Sequence, residues 1–167
     1  MKEMKYCADC GAELVTKFLD SEDRDIPYCP HCGEYRFPVF NTAVSMIVMN
    51  SSRDKILLIK QYGRDSYILV AGYVNQGEDA EDAARREVFE EMGLKVETVS
   101  FNRSHYYEPS NTLMLNFTVT VADEHVHSNE EIDSYKWFSV AEARANIREG
   151  SLAQKFLSGF LDGTYNF

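Results

Sequence analysis

The sequence predicts an α/β sandwich preceded by a small cysteine-held module, on three observations. Short runs of apolar and β-branched residues, spaced as strands, surround one long stretch of strong helix formers between Asp79 and Gly93. Two capping boxes, Ser139-x-x-Glu142 and Ser151-x-x-Gln154, open further helices near the C-terminus. Ahead of these stand two C-x2-C-G knuckles, beginning at Cys7 and Cys29, with eighteen residues between Cys10 and Cys29. Strands with a central helix and terminal helices bury their apolar faces by layering helix on sheet.

In chain order, residues 1–38 form the first unit. Each knuckle supplies two thiolates, and the glycine after it eases the tight turn. Cys7, Cys10, Cys29 and Cys32 therefore read as the ligands of a Zn²⁺ ion, making residues 1–38 a zinc ribbon. Four thiolates complete a tetrahedron and leave no open position for chemistry, so this zinc is structural. His31 is surplus to that set, and the polar stretch 21–25 forms the tip of a hairpin. Residues 39–167 form the second unit. Strands are expected at 42–49 and 56–61, joined by a turn at 50–54, and at 67–70. Asp79 then serves as N-cap, Glu81 and Asp82 place negative charge in the first helical turn, and Gly93 ends the helix. Further strands are expected at 95–102, 112–121 and 135–138, the last carrying the single tryptophan, Trp137, and helices at 141–148 and 152–161.

A chain of 167 residues can form one good core and an accessory module. Its 44% hydrophobic and 26% charged residues describe an ordinary soluble globular protein. The net charge of −10 argues against an extended nucleic-acid surface, which needs clustered Lys and Arg. A small anionic substrate stays compatible, because bound cations reverse the sign locally. No apolar run is long enough for a bilayer, and the N-terminus lacks the basic-then-apolar pattern of a signal peptide. Thiols arranged for metal suit a reducing compartment, so a cytoplasmic setting without a membrane partner is expected. A homodimer is compatible with all of this.

The chemistry-bearing stretch is residues 72–94, GYVNQGEDAEDAARREVFEEMGL. Glu87, Glu90 and Glu91 are spaced i, i+3, i+4, so their carboxylates share one helix face. Exposed like charges so placed repel by roughly 0.2–0.5 kcal/mol per pair. A hard divalent cation, Mg²⁺ or Mn²⁺, removes that cost. Gly72 and Gly77 bracket a loop that can approach a phosphate closely. The plain alternative is a solvated acidic face; the register of Gly72, Glu78, Arg86 and Gly93 with the glutamates argues against it. The stretch resembles the Nudix box, G-x5-E-x7-R-E-U-x-E-E-x-G-U with U aliphatic, at all nine specified positions. That resemblance implies the Nudix fold, a mixed sheet between helices, and a diphosphate hydrolase.

A four-cysteine ribbon directly before such a domain is similar to the NADH pyrophosphatase family. The likeness continues at Arg36-Phe37-Pro38 after the last knuckle and at Ala71-Gly72-Tyr73 at the start of the box. It implies that Glu87, Glu90 and Glu91 bind the divalent ions, with the main-chain carbonyl of Ala71 beside them. Glu131 aligns with a further acidic ligand of the family, and a solvated loop acid is the other reading. Arg86 would orient the carboxylates by pairing with Glu78 or a neighbour. The family marks NAD(H) specificity with SQPWPFP before an apolar strand. Here residues 104–110, SHYYEPS, keep the leading serine, the length and the Leu-Met-Leu strand, and lack the tryptophan, the two flanking prolines and the PFP. Tyr73, Tyr106 and Tyr107 are candidates for stacking on a base, with at most one of the adjacent pair facing it. His105 is a candidate for a phosphate or ribose contact, Gly72 for close approach, and Ala153 for a small residue that the family places beside its substrate. Core packing of the aromatics and of Ala153 is the alternative. His125 and His127 are expected in solvent.

The reaction so implied is in-line displacement at one phosphorus of a P–O–P linkage in a nucleoside diphosphate derivative. A dinucleotide such as NADH or NAD, cleaved to two mononucleotides, is the first expectation. ADP-ribose or another nucleoside diphosphate derivative is the second. A non-catalytic nucleotide-sensing module is the alternative from another class, and such a module would not need every carboxylate of the box.

Overall fold

Residues 4–165 and 167 are described in a computed structural model and fall into two units, each taken by itself. The first comprises the described part of Met1–Asn41 with Glu108–Asn111. Its antiparallel sheet is β1 (Val15–Leu19), β2 (Arg24–Cys29) and β3 (Glu34–Tyr35), in that order. The turn Asp20–Glu22 and Asp23, left-handed at φ 48°, close the β1–β2 hairpin where the polar stretch predicted a tip. Cys7, Ile26 and Cys29 are its buried apolar side chains among the described residues, while Val15 and Phe18 stay half exposed. So small a core leaves the unit in need of another source of stability.

The second unit spans Thr42–Tyr107 and Thr112–Phe167. Its strands are β4 (Asn41–Asn50), β5 (Lys55–Gln61), β6 (Val70–Tyr73), β7 (Val96–Tyr107), β8 (Thr112–Val121) and β9 (Ile132–Ser139). They form one sheet in the order β7-β8-β4-β5-β9, with β6 paired to β4. The helices are α1 (Ala80–Met92), α2 (Val140–Asn146) and α3 (Leu152–Asp162). Alternation along β4 divides its buried side chains between two cores. Val44, Met46 and Val48 pack with Ala83, Ala84 and Val88 of α1. Ile47 and Met49 pack on the other face with Phe156 and Leu157 of α3. The box helix and the terminal helices thus cover opposite faces of the sheet. No helix among the described residues is long and apolar enough to cross a membrane.

Several boundaries differ from expectation. The third strand runs over Val70–Tyr73, not 67–70: Ile68 makes only an isolated bridge to Ile59, and the ladder with β4 is built by Ala71, Gly72 and Tyr73 opposite Ser45, Val44 and Ala43. Strand β7 continues through Tyr107, paired with β8 across two irregularities, at Val96/Thr98 and Phe101/Arg103. Helix α2 stops at Asn146 because Ile147 turns extended and buried, and the Arg148 N–H donates to the Tyr67 carbonyl. Its capping box forms as expected, with Ser139 and Glu142 bonded reciprocally. Asp79 does occupy the N-cap of α1, but its side chain makes no capping bond.

Candidate functional site

The four cysteines converge in the first unit. Gly11 and Gly33, both at φ 74°, each close a knuckle by donating N–H to the carbonyl of Cys7 or Cys29 at 2.9 Å. All four Sγ atoms lie within 4.8 Å of one another, with Cys10–Cys29 at 3.5 Å and Cys7–Cys32 at 3.9 Å, and none is in a disulfide. A tetrahedron with Zn–S bonds of about 2.3 Å has edges of roughly 3.8 Å, so the donor set fits that ion. Arg36 donates from Nε to Cys7 Sγ at 3.2 Å and also pairs with Glu34 and Asp9. That guanidinium brings the Cys7 thiol down to about 6, whereas the neighbouring sulfurs of Cys10 and Cys29 push Cys32 up to about 12.

In the second unit the box is assembled by one arginine. Arg86 donates from Nε and Nη2 to the two oxygens of Glu78 at 2.7 and 2.9 Å, and from Nη2 to the Tyr73 carbonyl at 2.9 Å. Its Nη1 reaches Glu87 Oε1 at 2.7 Å and Glu90 Oε2 at 3.0 Å. The guanidinium therefore ties the loop before α1, the end of β6 and two helix carboxylates together, a fan that a lysine could not reproduce. It also holds the Glu78 carboxyl down at about 2. Gly72 is indispensable to the arrangement: a Cβ there would lie 1.9 Å from Glu87 Cδ. The glycine lets the Glu87 carboxylate rest against the main chain of β6.

Glu91 is buried, and its Oε2 has no hydrogen-bond partner; Gln61 Oε1 is the other such buried oxygen among the described residues. Burial, then the charges of Glu87, Glu131 and Glu90, push the Glu91 carboxyl up to about 8. An orphaned oxygen in the field of three further carboxylates is a place that a divalent cation neutralises. Among the described residues the box carboxylates do not by themselves draw together as the cysteines do, and Arg86 holds three of them, Glu78, Glu87 and Glu90. Glu131 is brought to this site by its loop: Asn129 N–H donates to the Glu91 carbonyl at 3.0 Å, and Asn129 Oδ1 accepts from Glu131 N–H at 3.0 Å. Tyr62, which the sequence reading missed, donates its hydroxyl to Glu131 Oε2 at 3.2 Å. Its phenol pKa is raised, by desolvation at the hydroxyl and by the charges of Glu131, Glu91 and Glu87, so it stays a donor.

The candidate substrate contacts separate by face. Strand register puts Met114, which packs toward α3, opposite His105, and Leu113 opposite Tyr106. His105 and Tyr107 thus share the α3 face and line a cavity of about 210 Å³ with Arg148, Glu149, Ser151 and Lys155, while Tyr106 points to the other face. The His105 ring stacks on Phe167 at 4.4 Å, and burial beside Lys155 and Arg103 lowers its pKa. Tyr73 is largely exposed, and Ala153 packs into the α3-side core. His125 and His127 are exposed as expected.

Comparison with known proteins bears on this arrangement. The chain is 29% identical over 160 residues to the NAD-capped RNA hydrolase NudC of Pseudomonas aeruginosa, covering 94% of this chain and 55% of that protein. It is 29% identical over 169 residues to the NudC of Haemophilus influenzae, covering 97% and 62%. The chain spans little more than half the length of these curated relatives. A NUDIX hydrolase from Nitrosomonas europaea superposes with a TM-score of 0.63 at 20% identity, over 98% of this chain and 96% of that one. The MutT structure described for Aliivibrio salmonicida and Vibrio cholerae gives 0.59 at 23% identity, over 73% and 100%. These likenesses show the fold, the mixed sheet with helices on both faces. The model of the NUDIX domain matches residues 39–158, from the first strand of the sheet through the box helix and into α3, and the chain belongs to that family.

Proposed function

We propose that the chain hydrolyses the pyrophosphate linkage of a nucleoside diphosphate derivative, first of all a dinucleotide of the NADH or NAD type, giving two mononucleotides. The observation that carries this reading is the buried, unpartnered Glu91 oxygen among Glu87, Glu90 and Glu131, on a helix that Arg86 locks to β6. Glu87, Glu90, Glu91, Glu131 and the Ala71 carbonyl are the groups that would hold Mg²⁺ or Mn²⁺. Bound there, such ions polarise phosphoryl oxygens and lower the pKa of an attacking water. Arg86 fixes Glu87 and Glu90 so that they need not reorganise during the reaction, and a carboxylate of the set accepts the proton of the water. The cavity lined by His105 and Tyr107 lies on the α3 face, opposite the box helix, and takes no part in this reading. The relatives' name points to an NAD pyrophosphate as well, there at the end of an RNA. In this reading the ribbon holds a structural Zn²⁺, in a reducing cytoplasm.

Because residues 104–110, at the end of β7 and in the turn after it, lack the family's tryptophan and flanking prolines, looser selectivity is expected. NADH, NAD and ADP-ribose should lie within about two orders of magnitude in kcat/KM. Chromatographic product analysis of each compound with Mg²⁺ and with Mn²⁺ tests this. Hydrolysis of nucleoside triphosphates alone, with every dinucleotide and ADP-ribose left intact, would overturn it.

A further inference from the structure

Tyr62 is out of place by the ordinary rules. It is 67% exposed, so burial does not account for its ring, and it sits at φ 57°, where a large side chain is strained. With Gly63 at φ 67° and Arg64 N–H donating to the Gln61 carbonyl at 3.2 Å, residues 61–64 form a tight turn with two left-handed centres. Such a turn favours Asn or Gly at its first centre. The turn is pinned to the far side of the site, because Gly63 N–H donates to Asp133 Oδ2 at 2.6 Å, two residues after Glu131. The hydroxyl of Tyr62 ends on Glu131 Oε2. Glu131 is in turn fastened to α1 through Asn129 and the Glu91 carbonyl. A strained, exposed aromatic whose side-chain hydrogen bond is to this carboxylate is explained by the bond and not by packing.

We propose that Tyr62 is a positioning residue for the hydrolysis: from its strained turn, the hydroxyl holds the Glu131 carboxylate toward the carboxylates of the box. This rests on the site reading above, in which Glu131 belongs to the cation set. Tyr62 touches neither substrate nor cation; it acts through Glu131.

The test is a double-mutant cycle on the full, zinc-loaded chain with Tyr62→Phe and Glu131→Gln, read by Mn²⁺ binding (water-proton relaxation, no substrate present) and by turnover. Loss of a hydrogen bond to a charged group predicts that Tyr62→Phe weakens Mn²⁺ binding roughly five- to tenfold, with unchanged thermal stability. Glu131→Gln should weaken it more, and the double variant no further than Glu131→Gln alone. Tyr62→Gly should behave like Tyr62→Phe toward Mn²⁺ while raising the melting temperature, since the strain is relieved and the positioning lost. A merely structural tyrosine would move stability and binding in the same direction. Additive losses in the double variant, a Tyr62→Phe protein that binds Mn²⁺ like the wild type, or a Glu131→Gln protein unchanged in both readouts would each overturn the proposal. If no dinucleotide is cleaved, the substrate reading fails and the Mn²⁺ cycle still decides the role of Tyr62.

Discussion

One methyl group at position 72 should separate the stability of the domain from its chemistry. In Gly72→Ala the new Cβ would stand 1.9 Å from Glu87 Cδ and 2.2 and 2.3 Å from its two oxygens, where ordinary contact begins near 3.4 Å. The carboxyl group must therefore retreat by about 1.5 Å, or its side chain must take another rotamer. It is the far end of a flexible side chain, so α1 need not shift although the retreat breaks its pairing with Arg86, and alanine is a better strand residue than glycine by roughly 0.5–1 kcal/mol, which offsets that loss. Thermal unfolding should accordingly be close to wild type. Catalysis should not be, because a misplacement on the order of 1 Å costs about a hundredfold in rate. The assay pairs a melting curve with kcat/KM for NADH across a Mn²⁺ titration. Wild-type turnover in Gly72→Ala would refute the role given to the Glu87 position, and an unfolded variant would show that the close approach serves packing.

Three further outcomes follow from the same geometry. The Glu91 carboxyl releases its proton near 4.5 when unfolded and near 8 when folded, so the native state holds more protons in between and stability falls as pH rises through that window. The loss is at most a few kcal/mol, on the order of 1.4 per unit, and added Mg²⁺ or Mn²⁺ should raise the melting temperature more at pH 8 than at pH 6; an equal rise at both would count against Glu91 as a ligand. Chelation, or Cys29→Ser, should lower zinc content and melting temperature together, whereas a zinc-free protein of unchanged stability would exclude a structural ion. Arg36→Ala removes the N–H···S bond to Cys7 and should speed zinc release to a chelating dye by roughly tenfold, against no change if that bond is incidental.

What could be read from the sequence was local. The spacing of Glu87, Glu90 and Glu91 fixes a shared helix face whatever surrounds it, and two short knuckles bring cysteines together with little help from the fold. What could not be read depends on pairing. The apolar run 67–70 looks like a strand, yet only its last residue, Val70, enters the ladder with β4, which continues over 71–73 and sets Gly72 under Glu87. Periodicity reports burial, not which residues find partners across the sheet. The bond between Tyr62 and Glu131 joins residues 69 apart and rests on the β5–β9 register, including an irregularity at Lys60/Gln61. The fan of Arg86 is half legible: pairing with Glu78 or a neighbouring carboxylate is expected from the sequence, whereas the Tyr73 carbonyl becomes a partner only once β6 is in place. Alternation did separate Tyr106 from Tyr107, but the cavity that Tyr107 lines is closed by α3 from the end of the chain.

The central claim is that the box carboxylates carry out metal-dependent cleavage of a dinucleotide pyrophosphate. Its most direct test is the single-turnover rate of NADH cleavage at saturating Mg²⁺ for the wild type and for Glu91→Gln, with circular dichroism confirming that both are folded. Glu91→Gln keeps the shape of the side chain and removes one charge, so the expected result is equal yields of the two mononucleotides from the wild type and a rate lower by about 10²–10³-fold in the variant. A folded Glu91→Gln protein that cleaves NADH at the wild-type rate would contradict the claim.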